Sequence, residues 1–484
     1  MICWSYVVRA LGALLCCIGG TLLLPLGFSA AYKDGALTAF LFTMAVAIGV
    51  GSGLMLSTRG RAAPPVIGHR EGILIVACGW IAAAALGALP FTFAETFSSF
   101  TDAFFESMSG FTTTGASVLT DIERVPESLL LWRALTHWLG GMGIIVLSLA
   151  ILPFLGVGGM QLYKAEVPSP VPDKLRPRIK DTAMALWKVY ILFTAAETVL
   201  LMAGGLNLFE ALSHTFATLA TGGFSTKNAS VGHYQSAYVD GVVMVFMLLA
   251  GINFSLHYAA LRGRVHSFWR DPECRFFLGL CALLIAATAG SLYGSTYTSL
   301  SQAFRYAAFQ VISLLTTTGF ATADYETWPP LAQVVLFLCM FLGGSAGSTG
   351  GGIKCLRILL LIKQGYREML LLIHPHSVFQ VKLGGRMVPA DVLHSIWGFF
   401  VLYLGLFVLF SLLMAALGLD LLTSFSSVAA TLGNIGPGFG AVGPADNYAA
   451  LPQAAKWLLS LSMLLGRLEI YTVLVLVIPE FWRP

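Results

Sequence analysis

Charged residues are scarce in this sequence. Asp, Glu, Lys and Arg together make up 11% of its 484 residues, whereas hydrophobic residues make up 57%. Soluble domains carry charge on about a quarter of their residues. The shortage of charge excludes water as the main solvent and predicts an integral membrane protein that lipid surrounds.

The sequence also lacks the motifs of common enzymes. It has no paired carboxylates, nucleophile elbow or histidine metal motif at helical spacing, so no enzyme activity and no organic cofactor are predicted. His137, His214 and His257 are expected to make hydrogen bonds between helices. The eight cysteines lie in or beside apolar runs without metal-ligand spacing, which predicts packing roles.

Apolar runs are what the sequence has in abundance. A helix needs about 20 residues to cross the roughly 30 Å of hydrocarbon in a bilayer. The first run has an alternative interpretation as a secretory signal peptide, because Arg9 precedes it and Ser29 to Ala31 follow it. A second run follows at once, which favours a membrane span. The ten candidate spans are 6–28, 36–58, 71–95, 129–155, 183–206, 238–261, 275–298, 331–362, 392–418 and 453–479.

Basic residues concentrate in four of the connecting segments. Short cytoplasmic loops collect positive charge, and with ten spans these four segments fall on one side of the membrane. Both termini are therefore predicted to be cytoplasmic. The net charge of +4 follows from this topology, and no nucleic-acid partner is predicted. The basic residues are Arg59, Arg61 and Arg70; Lys164, Lys174, Arg176, Arg178 and Lys180; Arg262, Arg264, Arg270 and Arg275; and Lys363, Arg367, Lys382 and Arg386.

A repeat becomes visible after spans three, five, seven and nine. Each is followed by an amphipathic segment of about 12 to 15 residues, too short to cross the bilayer and suited to a re-entrant half-helix. A glycine-containing stretch comes next. Because each repeat contains two spans, all four stretches face the same outer surface, unlike the inverted repeats of many transporters. The four segments are 101–117, 208–226, 302–322 and 421–440.

The predicted fold is an all-α integral membrane protein. Four parallel repeats, each made of span, pore helix, filter loop and span, are expected in a pseudo-fourfold arrangement around a pore. Two N-terminal transmembrane helices precede them. The predicted bounds are 1–70 for those helices and 71–160, 161–265, 266–375 and 376–484 for the repeats.

The glycine stretches are predicted to form a cation filter. Non-helical backbone at membrane depth is tolerated only where it is buried in protein or faces water. Glycine leaves no side chain in the lumen, so backbone carbonyls can replace the hydration shell of a potassium ion. The fourth stretch departs from the others, with Pro437 after its glycine. The predicted filter residues are Thr113, Thr114 and Gly115; Thr221, Gly222 and Gly223; Thr317, Thr318 and Gly319; and Asn434, Ile435 and Gly436.

Acidic residues follow the glycine stretches on the predicted outer side. They would either raise the local concentration of cations or be ordinary solvated loop charges, and both interpretations stay open. The residues are Asp121, Glu123, Glu127, Asp324, Glu326 and Asp446.

The eighth span contains the glycine-rich sequence GGSAGSTGGGIK at 343–354. Each glycine costs about 1 kcal/mol relative to alanine in a helix interior. An unwound segment that crosses the conduction path beneath the filter is therefore favoured over close packing of a continuous helix. The predicted gate residues in this segment are Gly343, Gly344, Gly347, Gly350, Gly351 and Gly352.

Arg467 lies in the middle of the last span. A lipid-facing arginine there would cost a few kcal/mol, so the side chain is predicted to face the protein interior. One interpretation makes it a fixed positive charge in the pore that repels cations or holds the glycine-rich segment shut. Another makes it a structural partner of Glu197 on the fifth span, and the residues alone do not choose between them.

Six motifs carry a resemblance over essentially the whole chain. They are FFESMSGFTTTGAS, WLGGMGIIVLSLAILP (138–153), ATLATGGFST, TTTGFAT, GGSAGSTGGGIK and GNIGPGFG. The sequence resembles the potassium-translocating subunits of bacterial Trk systems, the TrkH/TrkG type in the superfamily of potassium transporters.

The resemblance implies roles that the residues alone leave open. It makes Gly115, Gly223, Gly319 and Gly436 the selectivity glycines, 343–352 an intramembrane gating loop, and Arg467 a pore-facing arginine. Relatives with serine in place of the first filter glycine often favour sodium, so Gly115 implies a preference for potassium. A homodimer in the bacterial inner membrane and a cytoplasmic nucleotide-binding regulatory subunit of the TrkA type are also implied.

Potassium uptake through a gated central pore is the predicted function. The alternative is a potassium symporter coupled to protons or sodium, which the polar residues Asn253, His257 and Arg467 within the spans would serve. A sodium-translocating relative is a further alternative.

Overall fold

The computed structural model of the chain describes residues 2–60, 68–150 and 175–483, which are mostly helical. This confirms the all-α prediction. Arg61, Lys164 and Lys174, the predicted boundary at 160–161 and the end of the fourth span lie outside the described residues.

Two N-terminal spans precede the repeats. The first comprises α1 (Trp4–Thr21) and α2 (Leu23–Tyr32), and α3 (Leu37–Ser57) packs against α1. The two backbones approach closely at Gly12 and Gly51, where a Cβ on either glycine would lie 2.6 or 2.7 Å from the carbonyl oxygen of the other. Close packing through small residues is typical of membrane helices and supports a span rather than a signal peptide.

The first two repeats follow the predicted order of span, short helix, loop and span. The first consists of α4 (His69–Phe93), α5 (Phe100–Phe111) and α6 (Glu127–Ala150). The second consists of α7 (Leu175–Ala203), α8 (Leu208–Leu219), α9 (Ala237–Gly251) and α10 (Phe254–Leu261).

The last two repeats have the same order with further short elements. A four-residue helix, α11 (Ser267–Arg270), leads into α12 (Pro272–Leu292), α13 (Leu300–Leu315), α14 (Pro330–Cys339), β1 (Leu342–Gly343), β2 (Ile353–Lys354) and α15 (Cys355–Ile373). The fourth repeat comprises β3 (Lys382–Leu383), β4 (Arg386–Met387), α16 (Ala390–Ala416), α17 (Leu421–Leu432), α18 (Gln453–Arg467), α19 (Tyr471–Leu474) and α20 (Pro479–Trp482). Short 3₁₀ helices lie at Ile122–Arg124, Ser230–Tyr234, Tyr325–Thr327, Gly440–Val442 and Val475–Val477.

The short helices α5, α8 and α17 begin at side-chain caps. Ser99 accepts a hydrogen bond from the Asp102 backbone N–H at 3.2 Å, and Asn207 accepts one from Glu210 at 2.8 Å. Asp420 caps α17 in the same way. Such caps satisfy backbone donors that the first turn of a helix leaves unpaired.

Three of the predicted spans are interrupted. The chain bends by 102° between α9 and α10 and by 112° between α18 and the Tyr471–Val477 segment, while α14 ends at Cys339. The prediction that spans six and ten are unbroken was wrong, whereas the interruption of span eight agrees with the predicted unwound segment. At the last bend Glu469 and Ile470 have φ of 61° and 55°, a left-handed conformation that ends a helix. Arg467 therefore lies at the end of α18 and not in the middle of a helix.

Candidate functional site

The four pore helices α5, α8, α13 and α17 end in the same turn. At the end of α5, the Thr113 N–H donates to the Gly110 carbonyl at 2.9 Å and the Thr114 N–H donates to the Ser109 carbonyl at 2.8 Å. This pair of bonds defines a Schellman motif, which places one residue in a left-handed conformation. The pair recurs at Thr221 and Gly222, at Thr317 and Thr318, and at Asn434 and Ile435.

The left-handed position of this motif usually holds glycine, but in this chain it holds threonine or asparagine. Its φ is 51° at Thr113, 54° at Thr221, 62° at Thr317 and 54° at Asn434. A β-branched residue in this conformation is an outlier and costs about 1–2 kcal/mol. Strain of this kind persists where the surrounding structure enforces it, commonly at functional sites.

The four predicted filter glycines are the centre of the arrangement. Each has a left-handed backbone, with φ from 79° at Gly223 to 104° at Gly436. A Cβ on any of them would collide with a backbone carbonyl of the next loop, so only glycine fits. The contacts run in one direction around a closed ring: Gly115 on Gly222, Gly223 on Thr318, Gly319 on Ile435, and Gly436 on Thr114.

A closed ring of contacts places the four loops around one axis in chain order. Each contact is made by the carbonyl of the residue that precedes a filter glycine. Carbonyl rings of this type can take the place of water around a cation. The pore helices end immediately before the loops, and the C-terminal end of a helix carries about half a negative charge, which also favours a cation.

The fourth loop closes the ring despite its different sequence. The Asn434 amide donates to the Thr114 hydroxyl at 3.0 Å and to the Met463 carbonyl at 2.9 Å. The Tyr448 hydroxyl donates to the Gly436 carbonyl at 2.7 Å. Asn434 thus joins the last repeat to the first through its side chain.

A buried ion pair behind the filter was not predicted from the sequence. The Arg133 Nε atom lies 2.5 Å from Glu106 Oε1, and both side chains are at most 3% exposed. The guanidinium also donates to the Ser225 carbonyl at 2.9 Å, and Glu106 Oε2 accepts from the Val118 N–H at 2.9 Å. The pair therefore connects the loops that follow the first and second filter glycines.

Glu106 lies at a position that is polar in all four repeats. The position lies nine residues before each filter glycine and is occupied by Glu106, His214, Gln310 and Ser427. His214 Nε2 lies 3.1 Å from the Ser225 hydroxyl, and Gln310 donates to the Ala323 carbonyl at 3.4 Å. A comparison of the repeats at this offset would have revealed the support behind the filter.

Breaking the buried pair should destabilise the protein more than breaking a surface pair. We expect Arg133→Leu to cost about 3–5 kcal/mol, because it leaves the Glu106 carboxylate buried without its partner. Arg124→Leu is the matched control, since Arg124 pairs with Asp121 while its side chain is 87% exposed, and its loss should cost at most about 1 kcal/mol. Thermal unfolding of both variants in detergent measures the difference. Equal shifts in melting temperature would contradict the role of Arg133.

The glycine-rich segment leaves the helical path between α14 and α15. Its two limbs pair as parallel strands, with Leu342 opposite Ile353 and Gly343 opposite Lys354. A Cβ on Gly343 would collide with the Gly351 carbonyl. The limbs therefore approach each other at a distance that only glycine permits.

This segment lies directly against the ends of three pore helices. The Gly351 N–H donates to the Thr317 hydroxyl at 2.6 Å, and a Cβ on Gly351 would lie 2.5 Å from the Gly433 carbonyl oxygen. The Thr349 hydroxyl donates to the carbonyl of Leu219, the last residue of α8, at 2.9 Å. The segment thus lies at the C-terminal ends of these three helices.

Arg467 holds the segment in this place. Its side chain is buried, and its guanidinium donates to the Thr349 carbonyl at 2.8 Å and to the Gly140 carbonyl at 3.2 Å. Among the ion pairs of the described residues, none joins Arg467 to Glu197. The alternative of a structural pair with Glu197 therefore has no contact to support it.

A second buried cation accompanies Arg467. The Lys354 ammonium donates to the Gly350 carbonyl, and Glu469 is paired with Arg357 at 2.6 Å. Lys354, Arg467 and Glu469 line one small cavity together with the three consecutive glycines at 350–352. Glu469 is already paired with Arg357, so the two basic side chains give this cavity an excess of positive charge. Lys354 was not predicted from the sequence.

Comparison with known proteins identifies the family. The sequence model of a family described as TrkH, a cation transport protein, matches residues 36–483. The chain belongs to the TrkH family. This result confirms the resemblance drawn from the motifs.

Members of the TrkH family and its relatives match over nearly the full length. The Trk system potassium uptake proteins TrkH of Salmonella typhimurium and of Escherichia coli K12 are each 46% identical, over 99% of both chains. The Trk system potassium uptake protein TrkG of Escherichia coli K12 is 39% identical and covers 96% of this chain and 95% of its own. The crystal structure of the potassium transporter TrkH from Vibrio parahaemolyticus superposes with a TM-score of 0.92 at 41% identity, over 100% of both chains.

Two polar residues of this TrkH-family chain serve the break between α9 and α10. Asn253 caps α10 by accepting a hydrogen bond from the Ser255 N–H at 2.8 Å. His257 Nε2 lies 2.8 Å from the Leu249 carbonyl. Both side chains satisfy backbone groups that the broken helix would otherwise leave unpaired.

The outer acidic residues of the TrkH-family chain connect neighbouring repeats. The Asn228 amide donates to Asp121 at 3.0 Å, and Glu326 accepts from the Gly440 N–H at 2.6 Å. Partial burial raises the pKa of Glu326. These contacts give the residues a structural role, and attraction of cations stays a prediction.

Proposed function

We propose that this chain takes up potassium through a central pore lined by its four filter loops. The observation that carries the proposal is the closed ring of contacts from Gly115 through Gly223 and Gly319 to Gly436. The similarity to Trk system potassium uptake proteins supports the same ion.

The filter residues of the proposal are the twelve predicted from the sequence. Potassium would be held by the carbonyls of Thr113 to Gly115, Thr221 to Gly223, Thr317 to Gly319 and Asn434 to Gly436. Glycine at position 115 supports potassium over the sodium-translocating alternative through the resemblance to the family, in which serine at this position often favours sodium.

The gate of the proposal is the segment at 343–352 together with Arg467. The segment lies against the inner ends of the pore helices, and the two carbonyl contacts of Arg467 hold it there. A buried positive charge beside a conduction path repels cations. The arrangement supports a closed state that opens when the segment moves aside.

The cellular setting is proposed from the family and the charge distribution. We place the protein in the bacterial inner membrane, in contact with lipid, with both termini and the basic segments in the cytoplasm. A homodimer and a cytoplasmic nucleotide-binding regulatory subunit of the TrkA type complete the proposal. The four repeats would be 71–160, 161–265, 266–375 and 376–484, after two spans in 1–70.

The symport alternative has less support. Of the polar residues that motivated it, Asn253 and His257 bond backbone groups at a helix break, and Arg467 bonds the gate segment. These contacts favour structural and gating roles over the binding of a coupling ion.

Uptake by proteoliposomes tests the proposed function. Purified protein should move potassium, or rubidium as its tracer, down a potassium gradient without any proton or sodium gradient. Empty liposomes are the control. Movement of potassium that follows an imposed proton or sodium gradient in the absence of a potassium gradient would establish the symport alternative instead.

A further inference from the structure

Glu273 is a buried carboxylate at the start of the third repeat. Asp271 caps the helix α12 by accepting the Cys274 N–H at 2.7 Å, and Pro272 occupies the first helical position. This start fixes Glu273 in the first turn, where its side chain is buried with an exposed fraction of 7%. A buried carboxylate is costly unless hydrogen bonds compensate it.

The Glu273 carboxyl group bonds the glycine-rich segment and the helix that follows it. Its Oε1 atom accepts a hydrogen bond from the Ala346 N–H at 2.6 Å and another from the Leu356 N–H at 3.1 Å. Ala346 lies in the segment after β1, and Leu356 is the second residue of α15. One oxygen atom thus joins the first half of the segment to the start of α15, in addition to the pairing of the strands.

A second contact reaches the neighbouring residue of the segment from α10. The Phe254 N–H donates to the Gly347 carbonyl at 3.1 Å, at the first residue of that helix. The chain from 254 to 273 is therefore bonded at its two ends to adjacent residues of the segment, Ala346 and Gly347. Between these ends lie α10, α11 and the basic residues of the predicted cytoplasmic linker, and α11 packs against both α10 and α12.

We propose that residues 254–273 form a coupling element that transmits a displacement to the gate. Glu273 is the positioning residue that couples this element to the glycine-rich segment. This inference rests on the proposed function of the segment at 343–352. A displacement of the cytoplasmic linker changes the position of Glu273 and Phe254 together, and the segment follows because both ends of the linker are bonded to it. The linker is then the surface of this chain through which a cytoplasmic signal reaches the pore.

Substitution of Glu273 should open the gate without altering the filter. We expect Glu273→Ala to raise potassium flux in proteoliposomes by about tenfold, since two hydrogen bonds that hold one arrangement of the segment are lost. Glu273→Gln keeps one acceptor oxygen at this position and should give a smaller rise. The ratio of rubidium to sodium flux should stay that of the parent, which damage to the filter or a general loosening of the fold would change.

The matched control is an acidic residue in the first turn of the corresponding helix of the fourth repeat. Asp391 has this position in α16 and is exposed. Asp391→Ala should leave the flux unchanged. If Glu273→Ala does not fold, the potassium flux of Glu273→Gln tests the proposal in its place.

The outcomes separate this inference from the proposed function. A parent protein that moves no potassium would overturn the proposed function itself. The coupling role of Glu273 alone would be overturned if the flux rises in Arg467→Ala but stays at the parent level in Glu273→Ala. Where Glu273→Ala does not fold, the same result in Glu273→Gln would overturn it. A raised flux with a changed ratio of rubidium to sodium would also overturn it, because the effect would then lie in the filter.

Discussion

Gly115→Ser is expected to remove most of the discrimination between potassium and sodium. A Cβ at this position collides with the carbonyl of Gly222, so that carbonyl must move away from its place in the ring. The left-handed φ of 83° adds strain for any residue with a side chain. A change of about 1.4 kcal/mol in the relative free energy of the two ions in the filter is a tenfold change in preference. We therefore expect the ratio of rubidium to sodium uptake to fall by about tenfold or more.

A glycine outside the filter provides the control for this substitution. Gly290 lies on α12, and a Cβ built there meets no atom within 4 Å. Gly290→Ser should leave the ratio of rubidium to sodium uptake unchanged. The filter assignment would be refuted by a Gly115→Ser protein that folds normally and discriminates between the two ions as well as the parent does.

Arg467→Ala is expected to raise potassium flux strongly. The substitution removes the two donors that hold Thr349 and Gly140 together, and with them a buried positive charge at the inner end of the filter. At about 4 Å and an effective dielectric constant of about 20, such a charge repels a passing cation by about 4 kcal/mol. We expect a rise in flux of at least about tenfold, measured as rubidium uptake by proteoliposomes.

Two further variants separate charge from contact. Arg467→Lys keeps the charge but lacks the planar fork that bonds two carbonyls at once, so it should release the segment only in part. Arg124→Ala removes an exposed arginine and should not change the flux. A flux in Arg467→Ala that stays at or below that of the parent, in a protein with normal thermal stability, would mean that the arginine supports the fold and does not obstruct the pore.

The geometry of the four glycine loops was predictable from sequence because its requirements are local. Glycine at 115, 223, 319 and 436 satisfies a left-handed backbone, and each follows a half-helix whose length is visible as a short amphipathic segment. The unwound segment was predictable for a similar reason, since six glycines disfavour a helix whatever surrounds them. The structure has both features at the predicted residues.

The break in span six was not predictable because its cause is distant in sequence. The Gly251 carbonyl, which the break after α9 frees, accepts a hydrogen bond from the Ser345 N–H at 2.8 Å. The apolar run at 238–261 gives no sign of this partner and has the composition of a continuous span. The pair of Glu106 and Arg133 leaves no periodic pattern in either helix, and only the comparison of the four repeats nine residues before each glycine reveals the position of Glu106.

The ring of filter contacts has a consequence for biosynthesis. It closes between Thr114 and Gly436, so the first loop lacks one of its neighbours until the fourth loop has been synthesised. A ribosome delivers the repeats one after another, and the unfinished ring sits meanwhile in a bilayer whose interior has no water for its carbonyls. Closure is then a late event that follows insertion of the final helices.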